Sequence, residues 1–327
     1  MFRKFWKTLK FFIAIAIVLI ILPHSILPVK SSDIKKEVVE EYVRLNNSEK
    51  RLSEYSDDEK ALELKLIQLD IINKSRKKNN APPVKLDILA SRVANKMCKE
   101  AAEKDFIGHW NTAGEKPYHR WAFAGGYDHV SENAYGEWSS ADYSTSPDAI
   151  SSLMKTGHEK FMTERPPADG HKKTVIDEPH NFVGIGYYLK GKQFRYYEEF
   201  IDRYLEFENI PTEVKTDETF KITINTGKGT FLYYLTTYRD EFPEPIPQAK
   251  LKNKGSYSDY TEEQTLRLNP WDLAKFRRGD RYTIPLSFNK PGLYYIHIYI
   301  DEKEVANASS MNTKGKIQAS GIVIRVN

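Results

Sequence analysis

Cysteine is almost absent. The single Cys98 in 327 residues allows no internal disulfide and no thiolate zinc cluster. Glycine and proline number 17 and 16, too few for a collagen-like or low-complexity chain. An excess of one charge is also missing from most of the sequence. The formal charge is +4, but Arg3, Lys4, Lys7, Lys10 and Lys30 occupy the first thirty residues without an acid, so the remainder carries −1. A near-neutral body lacks the concentrated basic surface that phosphate binding needs, and no nucleic-acid partner is expected. What is plentiful is bulky apolar surface: 20 Tyr, 16 Phe and 40% hydrophobic residues overall. That composition predicts a folded chain of about two domains.

The only long apolar run lies at the start. Basic residues precede Phe11 to Leu22, and the apolar character continues with few breaks to Val29. This is the layout of a secretory signal, and its full extent is nearly enough to span a bilayer. Residues 1–31 are therefore expected to be a signal peptide, cut near Val29-Lys30-Ser31, or an anchor that places 11–29 in the membrane with its basic flank inside. No cysteine follows the run, which excludes a lipid-modified cysteine anchor. Either outcome puts the body outside the cell, secreted or anchored to the outer face of the membrane. Residues 32–55, rich in Lys, Glu and Asn, read as a polar stalk.

Local signals then define two regions. Ser56-Asp57-Asp58-Glu59 has capping-box chemistry, and Leu62, Leu66 and Leu69 continue at helical spacing to about Lys78, where Asn79-Asn80-Ala81-Pro82-Pro83 stops the helix. A second helix runs from Asp87 to about Asp105 on the stripe Leu89, Val93, Met97 and Ala101, with Cys98 packed inside it. Ser146-Pro147-Asp148 starts a third, and Phe182–Leu189 and Gln193–Phe200 form a hairpin around Lys190-Gly191-Lys192. From about Ile210 the texture changes to short strands: 220–225, 231–238, 282–288, 293–300 and 317–326. The expected fold is α+β, an α-β-α sandwich over 56–208 followed by an all-β sandwich over 209–327.

Six of the eight histidines lie between Gly108 and Gly186, and in that interval a family likeness emerges. Leu66-Ile67 with Ile71-Ile72-Asn73 and Arg76, Leu86-Asp87 with Leu89-Ala90, Phe106 with His109, Ser131-Glu132-Asn133-Ala134-Tyr135-Gly136, Gly170-His171, and Phe182-Val183-Gly184-Ile185-Gly186 follow one another in order. The series resembles the CAP superfamily of cysteine-rich secretory proteins, antigen 5 and pathogenesis-related proteins, in its bacterial SCP-like branch. The resemblance implies an α-β-α sandwich with a cleft of two histidines and two glutamates that holds a divalent metal such as zinc in some members. His109, Glu132 and His171 match cleft positions, and Glu164 is the candidate for the second glutamate. His109 and His171 would be the metal ligands, with the carboxylates orienting their rings. Ser131, Thr174 and Phe182 depart from the family pattern, with His180 two residues before Phe182. The remaining histidines are read blandly: His158 as a helix-surface residue, His119 and His129 as loop residues.

The function expected from this reading is a non-catalytic extracellular binding module for a lipid, a sterol, or a surface molecule of a host or neighbouring cell. The alternatives are a metal-assisted hydrolase with Glu132 or Glu164 as base, and carbohydrate or cell-wall adhesion through the β-sandwich. No catalytic residue is assigned, since no nucleophile elbow or thiol–histidine pair occurs. Tyr257, Tyr260, Trp271, Tyr294 and Tyr295 are expected to be core and rim residues of the sandwich, with sugar stacking as the alternative.

Overall fold

The computed structural model describes residues 36–258, 263–305, 307 and 311–327. The expected signal or anchor at 1–31 lies outside them, and no helix among the described residues is long and apolar enough to cross a membrane.

The first region contains α1 (Lys36–Ser48), α2 (Glu59–Lys78), β1 (Lys85–Leu86), α3 (Ile88–Glu103), α4 (Pro117–Phe123), β2 (His129–Trp138), α5 (Pro147–Thr163), α6 (Gly170–Ile176), β3 (Phe182–Lys190) and β4 (Gln193–Asp202). Its four strands are ordered β1-β3-β4-β2, which leaves β2 at an edge. Side chains alternate across the sheet. Phe194, Tyr196 and Phe200 of β4 pack with Leu66 and Ile67 of α2 and with Met154 and Phe161 of α5. Tyr197 faces the other way, toward Ala94, Met97 and Ala101 of α3. Helices thus cover both faces, as expected.

The Gly184-x-Gly186 motif sets how closely α3 approaches. A Cβ on Gly184 would lie 2.3 Å from the Ala90 carbonyl carbon, and one on Gly186 would lie 2.4 Å from that of Ala94. Glycine is required there because helix backbone occupies the place of a side chain.

Several local expectations need correction. The cap of α2 is Asp58 rather than Ser56; its side chain accepts from the Ala61 N–H at 2.7 Å. Within the segment read as a polar stalk, Lys36–Ser48 form a helix. Buried Arg92 holds its end by donating to the Asn46 carbonyl at 2.7 Å and the Arg51 carbonyl at 2.6 Å. Helices α4 and α6 and strand β2 had no place in the sequence reading, although Pro117 is a first-turn proline signal for α4.

The second region is two facing sheets. Its elements are β5 (Glu206–Glu208), β6 (Glu213–Val214), β7 (Phe220–Asn225), β8 (Phe231–Asp240), α7 (Gln248–Leu251), β9 (Glu263–Leu268), α8 (Pro270–Leu273), β10 (Arg277–Arg278), β11 (Arg281–Leu286), β12 (Gly292–Asp301), β13 (Ile317–Gln318) and β14 (Ile322–Val326). One sheet is ordered β10-β11-β7-β5 and the other β6-β14-β12-β8-β9, with β13 also paired to β12. Ile222, Ile224 and Ile284 meet Tyr294, Ile296, Ile298 and Ile324 in the core between them.

Strand β12 uses both of its faces. Tyr294 enters the sandwich core, while Leu293 and Tyr295 turn toward Tyr118, Trp121 and Val130 of the first region. Tyr295 stacks on Tyr118 with ring centroids 4.2 Å apart and planes 6° from parallel. Tyr294 and Tyr295 are each 1% exposed, which removes them from any sugar-stacking surface. Tyr260 lies outside the described residues. The connection after β8 also crosses onto the first region: the Ile246 N–H donates to the Thr112 carbonyl at 2.8 Å, Lys252 meets Asp105 at 2.9 Å, and Leu251 is buried beside Ala101 and Phe106.

Candidate functional site

The four residues singled out from the sequence come together outside edge strand β2 as two histidine–carboxylate pairs. Glu132 points from β2 toward the loop after α3, and its Oε1 lies 2.8 Å from His109 Nδ1. Glu164 stands at the end of α5, and its Oε1 lies 2.5 Å from His171 Nδ1. Its second oxygen accepts from the His171 backbone N–H at 3.0 Å, so one carboxylate orients the ring and closes the first turn of α6. Phe161 packs flat against the His171 ring at 4.9 Å between centroids. The two imidazoles are 6.3 Å apart, centroid to centroid. Both carboxylates occupy Nδ1, and no described residue hydrogen-bonds either Nε2.

Two residues that the sequence reading missed shape the charge of this site. Arg120, on α4, donates to Glu132 Oε2 and to the His109 carbonyl, the latter at 2.7 Å. Its guanidinium is also 4.0 Å from Glu199 Oε1 on β4. Burial would raise the Glu132 carboxyl, but the Arg120 charge and the His109 hydrogen bond outweigh it and hold Glu132 below the usual carboxylate range. Glu199 moves the opposite way: complete burial, then the neighbouring Glu132 charge, push it well above that range. Among the described residues no donor lies within hydrogen-bond distance of either Glu199 oxygen. Two buried carboxyl groups therefore share a single guanidinium, Glu132 biased toward its charged form and Glu199 toward its protonated one. The signal was present in the sequence as two acids, Glu198 and Glu199, inside the aromatic run Tyr196-Tyr197-Glu198-Glu199-Phe200. Acids inside a buried strand need a partner.

Tyr257, supplied by the β-sandwich region, leans on the cleft. Its ring centroid is 5.1 Å from that of His109, and its hydroxyl oxygen accepts from the Glu132 N–H at 3.4 Å.

The other histidines are not the loop and surface residues expected. His119 is buried on α4, with Nε2 3.2 Å from Asp240 Oδ2; Lys116 and Tyr118 bond the same carboxylate. Burial lowers the His119 pKa, and the pull of Asp240 only partly offsets it. His129 begins β2 and approaches Asp202 at 2.8 Å, while His180 approaches the other oxygen at 2.5 Å. Burial would raise Asp202, but the two imidazoles prevail and hold it far below the usual range. This cluster borders a groove of about 1280 Å³ that also contains Ser131, Thr174 and the 312–318 segment of the β-sandwich. His158 is 1% exposed rather than on the helix surface, bonded to Glu198 on one side and Ser75 on the other. It shares the buried stripe of α5 with Met154 and Phe161. Cys98 is fully buried as expected, and burial pushes its thiol well above the usual value.

Comparison with known proteins agrees with the motif series. Residues 69–200 match the family described as the cysteine-rich secretory protein family, CAP. An extracellular SCP-domain protein from Bacillus anthracis is 20% identical, with 42% of this chain and 39% of that chain covered and a TM-score of 0.32. An outer surface protein from Borrelia burgdorferi is 18% identical over 43% of this chain and 93% of its own, with a TM-score of 0.33. A superoxide reductase from Ignicoccus hospitalis is 17% identical over 38% of this chain and 80% of its own, with a TM-score of 0.20. No curated protein matches.

Proposed function

Because residues 69–200 belong to the CAP family, we propose that the chain is an exported binding protein whose edge-strand cleft takes one divalent cation between His109 and His171. The observation that carries this reading is the pairing of each Nδ1 with a carboxylate, at 2.8 Å for Glu132 and 2.5 Å for Glu164. A carboxylate on Nδ1 fixes the tautomer that leaves Nε2 as a metal-directed lone pair, and it makes that nitrogen more basic. Among the described residues no three His, Cys, Asp or Glu are grouped around one point. The protein thus offers two nitrogens, and solvent or a bound ligand completes the shell. Two imidazoles on a tetrahedral zinc ion, with bonds of about 2.0–2.1 Å, place their ring centroids about 5 Å apart. The observed 6.3 Å requires a closure of roughly 1 Å. Zinc titration of the full chain by calorimetry is expected to give one site, abolished in the His109→Ala, His171→Ala double variant. Glu132→Gln and Glu164→Gln should each weaken it by about 10–100-fold. Undiminished binding by the double variant would sink the assignment.

A second cavity supports the lipid part of the reading. About 360 Å³ opens between α2 and α5, with Ile71 and Met162 among its walls and Lys78 beside it, together with Lys74 and Lys155, which pair with Asp70 and Glu159. Apolar walls beside ammonium groups suit an amphiphile with an acyl chain and an anionic head. The basic-then-apolar N-terminus supports export.

A further inference from the structure

At the floor of the α2–α5 cavity three residues from three elements stand in line. Ser75, near the end of α2, is half-buried, and its Oγ lies 2.8 Å from His158 Nε2. His158 Nδ1 lies 2.8 Å from Glu198 Oε1 on β4. Glu198 is fully buried and is further held by the Tyr196 hydroxyl, which donates at 2.6 Å, and by Asn133 Nδ2 at 3.4 Å. Gln68 in turn donates to the Tyr196 hydroxyl at 2.9 Å. A carboxylate that already receives O–H and N–H donors accepts from Nδ1–H, which leaves the Nε2 lone pair facing Ser75 Oγ–H. That is the orientation in which an imidazole takes a proton from a hydroxyl, and the third group fixes the tautomer.

A satisfied structural histidine would explain the burial of His158, but it does not require the serine to open into a cavity. Ser75 does both: it bonds the imidazole and lines the 360 Å³ space. We propose that Ser75, His158 and Glu198 form a nucleophile, base and acid that hydrolyse the acyl ester of an amphiphile seated in this cavity. The proposal rests on the acyl-chain reading of the cavity given above. In the first half-reaction Oγ forms a bond to the acyl carbon, its proton passes to Nε2, and the ester C–O bond breaks as the departing alkoxide takes that proton. Water then attacks the acyl-serine and gives its proton to Nε2. The C–Oγ bond breaks, and Oγ recovers the proton. The products are a carboxylic acid and an alcohol. Lys78 lines the same cavity and supplies positive charge beside the ester, while Lys74 and Lys155 are held by Asp70 and Glu159.

The test uses the full chain with hexadecyl fluorophosphonate, p-nitrophenyl palmitate, p-nitrophenyl acetate and, separately, palmitate itself. The expected results are a covalent adduct mapped to Ser75 and palmitate-ester hydrolysis that is lost in Ser75→Ala. His158→Gln should slow both at least about 100-fold. Ser75 is half-buried, and an unchanged melting temperature checks that Ser75→Ala keeps the fold. Absence of an adduct at Ser75, or hydrolysis that Ser75→Ala leaves unchanged, overturns the triad. Palmitate binding reports on the cavity alone: if palmitate binds while no adduct forms, the triad falls and the lipid reading stands. If only p-nitrophenyl acetate is cleaved, in a Ser75-dependent way and with no palmitate binding, the lipid reading falls, and with it the acyl-chain substrate.

Discussion

Replacing Glu199 by glutamine tests the charge arrangement beneath the cleft. Glu199 is fully buried beside the Glu132 carboxylate, and both facts push its pKa well above the usual range. The native protein therefore holds a proton that the unfolded chain releases near its ordinary value of about 4.3. For a group raised on folding, the stabilisation is complete below that unfolded value and declines as pH climbs toward the folded one. Glutamine keeps the neutral, hydrogen-bonding shape of the protonated acid at every pH, so the stability of the variant should gain on the wild type as pH rises. Each pH unit within the window contributes at most about 1.4 kcal/mol. Above the unfolded value the gap between variant and wild type should therefore widen steadily with pH until Glu199 loses its proton in the native state. Urea unfolding followed by tryptophan fluorescence measures it, and taking the difference between the two proteins cancels the other titrating groups. A gap that stays flat or shrinks would mean that Glu199 is charged in the native state, and the account of the Arg120, Glu132 and Glu199 site would be wrong.

Two further substitutions probe the frame around the site. Gly184→Ala or Gly186→Ala forces a methyl to within 2.3–2.4 Å of the α3 backbone, and each should cost about 1–3 kcal/mol or more in denaturant unfolding; a neutral result would show that α3 does not pack there. Arg120→Met strips the buried Glu132 carboxylate of its guanidinium and should cost about 3–5 kcal/mol. The added change Glu132→Gln should recover part of that loss, and strict additivity in the double variant would argue against direct coupling.

His109, Glu132 and His171 were legible in the sequence because each sits in a short ordered motif, Glu164 only through its place before Gly170-His171, and the sandwich was legible because aromatic and β-branched alternation marks strands. It was poor at partners. Glu132 was legible, but Arg120 was not, since nothing in Tyr118-His119-Arg120-Trp121 says that one guanidinium will meet a carboxylate twelve residues away across a turn. His158 was misjudged because its two bonds go to Ser75 and Glu198, 83 and 40 residues distant. The helical spacing Met154, His158, Phe161 would have placed it inward. Helix α1 escaped notice because its polar sequence hides a docking face that becomes intelligible only when Arg92 reaches the Asn46 carbonyl.

Strand β12 serves two masters. Tyr294 belongs to the sandwich core, while its neighbour Tyr295 lies flat on Tyr118, two residues before the Arg120 that neutralises Glu132. The loop that carries Tyr257 descends from the same region onto His109. The cleft is consequently a joint property of both halves of the chain. An exchange of the β-rich half for an unrelated one would unseat the arginine and uncover the histidine together, so descent is expected to preserve the pair of halves as one inherited unit.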